Sequence, residues 1–298
     1  MKTFSKKPTT VEEQIELLQK RGMIIPSLER AGAFLSYCSY YRFCGYALHF
    51  EKLTLEGERT HSYKPGASFD AVERLYHFDA ALRRLIFHHT SLIEIDFRGT
   101  IGNESAWYYD NAHWFLDVNN FQKTDSHIKF LGLCSAEVKR SREIFITSYK
   151  NNYPGGPEFP PIWMLTELMP FSAWSKLYLN LSDKKLKKII AQKQGVPEKY
   201  LISWLQSLTV LRNACAHHAR IWNRNFTQAP LISPGMAEKV IPGQHKKIVV
   251  MLLIIHDMLR KLHREHDFEN ELCELVAQYS EIELCYMGIH SSIPELFS

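Results

Sequence analysis

Apolar residues along this chain recur three and four apart far more often than they alternate, so its elements are predicted to be helices. Thr10-Val-Glu-Glu13 has capping-box spacing ahead of Val11, Ile15 and Leu18, and Gly22 is a natural stop. A second helix is predicted to begin near Leu28, after Pro26-Ser27, and to run toward the aromatic-rich residues 37–46. Residues 51–67 read as loop, with Gly57, Pro65 and Gly66 set among charges. Ser68 can cap a long helix from Phe69 to about Arg98, whose buried stripe is Val72, Leu75, Tyr76, Leu82, Ile86 and Ile93.

Residues 99–125 give no clear assignment. A helix is predicted over Ser126–Tyr149, and N-N-Y-P-G-G-P-E-F-P-P (residues 151–161) is the clearest loop. Pro161 suits the first turn of a short helix to about Met169. Further helices are expected near Ser172–Leu181, Asp183–Gln194, Pro197–Arg220, Gly243–His266 and Glu269–Met287. The expected fold class is all-α, with a small helical N-terminal region over residues 1–67 and a larger helical domain over 68–298.

Composition adds little: 45% hydrophobic and 23% charged residues are those of a globular protein with ample material for a core. The net charge of +4 permits an anionic partner without demanding one. Its distribution is more telling, because nine Lys and Arg between Lys184 and Arg224 face the single acid Glu198. The six cysteines form no CxxC pair and read as reduced thiols, mostly buried. The first ten residues lack an apolar signal-peptide core, and the longest apolar run, Ile248–Ile255, is too short to span a bilayer. A cytoplasmic location without membrane contact is the expectation.

The segment L-R-N-A-C-A-H-H-A-R-I-W-N-R, residues 211–224, concentrates groups that core packing does not need. On a helical wheel Leu201, Trp204, Leu205, Leu208, Leu211 and Cys215 share one arc, the core stripe. Asn213, His217, Arg220 and Arg224 share a second stripe, and Arg212 sits at the edge of the apolar arc. Two copies of this stripe meeting across a two-fold axis would line one cleft with two histidines and two arginines.

These residue types suit RNA cleavage. Histidine serves as general base or acid near neutrality. Arginine holds phosphate and stabilises the charge of the transition state. Asn213 is placed to orient His217, while His218, Arg220, Asn223 and Arg224 can guide the RNA backbone. Trp222 could stack on a base but lies nearer the core arc. On spacing alone an Arg-x4-His pair is more often incidental than catalytic, and His88, His89, His113 and His256 more often structural than ligating. No HExxH, P-loop, GxGxxG or GxSxG pattern occurs, so no metal or cofactor is expected.

Residues 212–224 resemble the C-terminal signature of the Abi-like (AbiD/AbiF-type) abortive-infection proteins. Similar stretches precede it in order: residues 13–25 with S-Y-Y-R-F-C-G-Y (39–46), residues 68–83, and P-P-I-W-M-L-T-E-L (160–168). The likeness covers roughly residues 10–225 and implies membership of the HEPN superfamily of helical bundles, many of them metal-independent ribonucleases with an Arg-x4-6-His motif. The resemblance places that motif's Arg and His on Arg212 and His217 and its polar residue on Asn213; His218 also satisfies the looser spacing. It implies a further polar residue from an earlier helix, for which Glu94 is the candidate, and action as a homodimer.

The resulting expectation is an endoribonuclease toxin of antiviral defence, cleaving RNA through 2′-OH attack. A regulatory non-coding RNA or an antitoxin is a possible further partner. Two alternatives stay open: a non-catalytic module that binds a structured RNA, and a scaffold whose polar stripe only mediates dimerisation.

Overall fold

A computed structural model describes residues 7–262 and 266–298. The N-terminal stretch read for a signal peptide falls partly on residues 1–6, and the end of the helix expected to reach His266 falls on 263–265; both lie outside the described residues. The described chain is all-α apart from one small hairpin.

One compact unit ends at Leu82 and takes in Leu275–Ile282. It begins with α1 (Val11–Lys20), where the capping box forms: Thr10 Oγ1 accepts from Glu13 N, and Glu13 returns a carboxylate oxygen to Thr10 N. Then follow α2 (Leu28–Cys38) and α3 (Tyr40–Ala47). Residues 51–67 are not all loop, because β1 (Glu51–Leu53) pairs antiparallel with β2 (Arg59–Tyr63). The fork of Arg59 closes on the buried carboxylate of Glu51 at 2.8 and 2.7 Å, a cross-strand bond that loop composition could not reveal. Phe43 stacks on Phe69 at 4.4 Å, and Phe34 meets Phe69 edge-on at 5.7 Å, forming the centre of this unit.

The helix α4 (Phe69–Tyr109) starts in that unit and continues past its boundary, eleven residues beyond the predicted end at Arg98. Its C-terminal half resolves part of the stretch that sequence could not assign: Phe97, Ile101 and Ser105 are buried, continuing the stripe.

The second unit holds Arg83–Glu274 and Glu283–Ser298. It contains α5 (Thr124–Arg140) and α6 (Ile144–Asn152), where one helix had been predicted. The break comes at Ser141, whose hydroxyl accepts from Glu143 N and so offers the backbone a local alternative to the helix. Next come α7 (Ile162–Leu168), α8 (Phe171–Asn180), α9 (Lys184–Lys193) and α10 (Glu198–Ala216). The chain closes with α11 (Pro234–Ala237), α12 (Ile248–Lys261), α13 (Phe268–Gln278) and α14 (Ile293–Phe297). Helix α10 packs on α8, α9 and α12. Its predicted stripe is the core stripe: Leu201, Trp204, Leu205, Leu208, Leu211 and Cys215 are all buried. The apolar run of α12 is buried through Ile255, and no described helix is long and apolar enough to cross a membrane. Cys38, Cys134 and Cys215 are buried thiols, Cys44 and Cys273 partly covered, and Cys285 exposed.

Candidate functional site

Arg212 lies near the end of α10, at the edge of its apolar face, and reaches to α4. Its Nε meets Glu94 Oε2 at 3.0 Å as an ion pair, without the alignment of a hydrogen bond. Glu94 is 4% exposed, and its other oxygen is bonded by Arg98, one turn further along α4. The Arg212 guanidinium also sits 5.5 Å from the centre of the Phe87 ring, two turns before Glu94 on α4. One carboxylate thus holds two guanidinium groups, and the cluster keeps a net positive charge in a half-buried setting. Such an excess suits an anionic group better than water alone. Glu94, the candidate polar residue from an earlier helix, thus stands in contact with Arg212. Arg98 and Phe87 were missed, although Glu94 and Arg98 stand at the i, i+4 spacing of a helical ion pair.

Asn213 does not orient His217 through its side chain. Its Oδ1 accepts from Arg212 at 3.2 Å, and it is the backbone oxygen of Asn213 that accepts from His217 N at 2.9 Å. The carboxamide therefore steadies the arginine.

The helix expected to reach Arg220 stops at Ala216. His217 is the C-cap residue, His218 takes a left-handed φ of 55°, and Ala219 N returns to Ala214 O at 2.9 Å while His218 N bonds Cys215 O at 3.0 Å. This is a Schellman motif with histidine where glycine is usual. The shared stripe of Asn213, His217, Arg220 and Arg224 consequently does not exist, and the two-fold cleft drawn from the wheel loses that support. The turn lets Ile221 and Trp222 enter the core, at 0% and 1% exposure, so Trp222 is unavailable for stacking on a base. His217 and His218 are both left exposed at the helix end, and no hydrogen bond joins Arg212 to His217 among the described residues.

Beyond the turn, Asn223 Oδ1 accepts from Lys247 Nζ at 2.8 Å, and the Arg224 guanidinium lies over the Phe226 ring at 5.3 Å. Burial, and then the neighbouring Arg220 charge, push the Lys247 ammonium below its usual range. Lys247, distant in sequence, thus joins Arg220 and Asn223 in one basic group that the sequence did not disclose. The lysine run on α9 is less open than its composition suggested. Lys187 is buried, donates to Leu179 O at 2.9 Å, and has its ammonium lowered by burial. Among the described residues no group of three His, Cys, Asp or Glu side chains is placed to hold a metal ion.

Fold and site together define an all-α protein that presents a carboxylate-braced arginine pair and an exposed histidine pair from one helix end. The chain belongs to the Abi-like protein family, whose model matches residues 33–223. That match contains Glu94, Arg98, Arg212, His217 and His218 and ends at Asn223, and membership points to abortive-infection defence. No curated protein and no solved structure matches the chain.

Proposed function

We propose that this protein is a metal-independent endoribonuclease of abortive-infection defence, built on a HEPN-type bundle. One observation carries the reading: the helix that offers Arg212 to the Glu94–Arg98 brace ends, five residues on, in the exposed imidazole of His217. A half-buried guanidinium binds and stabilises a phosphoryl group in its charged transition state. An exposed imidazole at a helix end can take the 2′-OH proton. The 2′-oxygen then attacks phosphorus, the bond to O5′ breaks, and O5′ receives a proton from an acid. The products carry 2′,3′-cyclic phosphate and 5′-OH ends, and the nucleophile belongs to the substrate, so the chemistry requires no metal.

The acid on the leaving side would come from the Arg212–His217 segment of a second copy. The exposed Phe87 beside Arg212 on α4 offers apolar surface for that partner. A second reading, a non-catalytic RNA-binding module, draws on the Lys247–Asn223–Arg220 group, which suits phosphate contacts without cleavage.

The deciding experiment incubates end-labelled RNA with the protein and with His217→Ala, both in excess EDTA. Cleavage by the wild type, reduced on the order of 10²–10⁴-fold in the variant, supports the ribonuclease. Salt-sensitive binding with RNA left intact selects the binding module.

A further inference from the structure

An apolar concavity of the second unit lies away from the arginine site, between α5 and α8. Its volume is about 290 Å³, close to the roughly 300 Å³ at which small-molecule sites begin. Phe130 and Leu133 line it from α5, Ala173 and Leu177 from α8. The rings of Phe121 and His127, stacked 4.2 Å apart, form another wall.

The polar groups inside are already engaged. His127 Nε2 is bonded to Phe115 O at 2.7 Å, Asn180 clamps the backbone N–H and carbonyl of Lys123 at 2.9 and 3.0 Å, and Gln122 Nε2 donates to Leu181 O at 2.8 Å. A sugar or nucleobase entering here would lose its water without finding enough partners, whereas a hydrocarbon or aryl tail loses nothing.

The rim has the opposite character. Lys123, Lys129 and Lys176 are exposed lining residues, and no acid is among the lining. Lys123 is also the N-cap of α5 and gives that helix no side-chain cap, while Asp125 in the same first turn offsets part of the positive charge of the helix end, so the three lysines carry the charge of the rim.

We propose that this cavity binds an amphipathic monocarboxylate, with its apolar tail between α5 and α8 and its carboxylate among Lys123, Lys129 and Lys176. The geometry needs both halves of such a ligand: the interior takes no polar atoms, and the rim takes no cation.

Calorimetric titration of the full chain with sodium decanoate tests this, with decanol as the neutral control. The expected result is saturable decanoate binding, weaker decanol binding, and roughly tenfold loss of decanoate affinity in the Lys123→Gln, Lys129→Gln, Lys176→Gln triple variant. Leu133→Trp, at a half-buried position, should fill the cavity and abolish binding while leaving RNA cleavage or RNA binding as it was. Absence of saturable decanoate binding overturns the proposal. So does equal binding of decanol and decanoate with no effect of the three glutamines, which would mark an unspecific apolar surface.

Discussion

Arg212 of α10 and Glu94 of α4 meet at 3.0 Å although a large part of the chain separates them, and Arg98 shares the same carboxylate. The brace couples the end of α10 to α4, the longest of the described helices. It also fixes the direction of Arg212, whose side chain stays 27% exposed while its Nε is buried against the carboxylate.

Glu94→Gln should therefore be destabilising, because two part-buried guanidinium groups lose their common anion. A cost of about 2 kcal/mol is expected in urea unfolding, less than for a fully buried pair since both arginines keep some contact with water. If stability is unchanged, the brace contributes nothing to the fold. RNA cleavage should fall as well, through loss of the Arg212 orientation.

His218 separates backbone role from chemistry. It holds a left-handed conformation that glycine adopts without strain, so His218→Gly should raise stability by about 0.5–1 kcal/mol. Cleavage should persist if His217 is the reacting imidazole. Loss of cleavage in a well-folded His218→Gly protein would transfer that role to His218.

Two buried histidines set a pH dependence. His89 contacts Glu271 at 3.2 Å, with His88 and His266 nearby, and His256 contacts Glu269 at 3.4 Å, with Arg260 and His266 nearby. In both, burial outweighs the carboxylate and lowers the imidazole from its ordinary 6.5. The unfolded chain then binds protons more readily than the folded one, so the stability is complete above about pH 6.5 and declines as pH falls through the folded values. Melting temperature should drop between about pH 7 and pH 5, and the slope should flatten in His89→Gln and in His256→Gln. A slope identical to the wild type in both variants would refute the assignment.

Lys247→Gln tests the extended basic group. It should weaken RNA binding uniformly across sequences and lower the salt slope by about one counterion, read by titration at several salt concentrations. An unaltered slope would remove Lys247 from the RNA path.

Gly102 faces α7 so closely that an added Cβ would lie 2.8 Å from Thr166 Cγ2. Gly102→Val should cost at least about 2 kcal/mol by thermal or urea unfolding, since α4 and α7 must move apart. A neutral result would mean that the two helices separate freely.

The helical class, most element positions, the capping box at Thr10 and the core stripe of α10 were legible in the sequence, because each depends on local spacing and on nearest-neighbour hydrogen bonds. The motif residues were legible for the same reason, as a run within one segment. The end of α10 was not. No glycine or proline marks it, and the helix stops at Ala216 because burying Ile221 and Trp222 outweighs the strain of a left-handed histidine. The hairpin, the contact of Glu94 with Arg212, the Asn223–Lys247 bond and the inward turn of Lys187 were equally hidden. Each joins groups across turns or across distant segments, and only packing the helices decides which charges are stripped of water and must find one another.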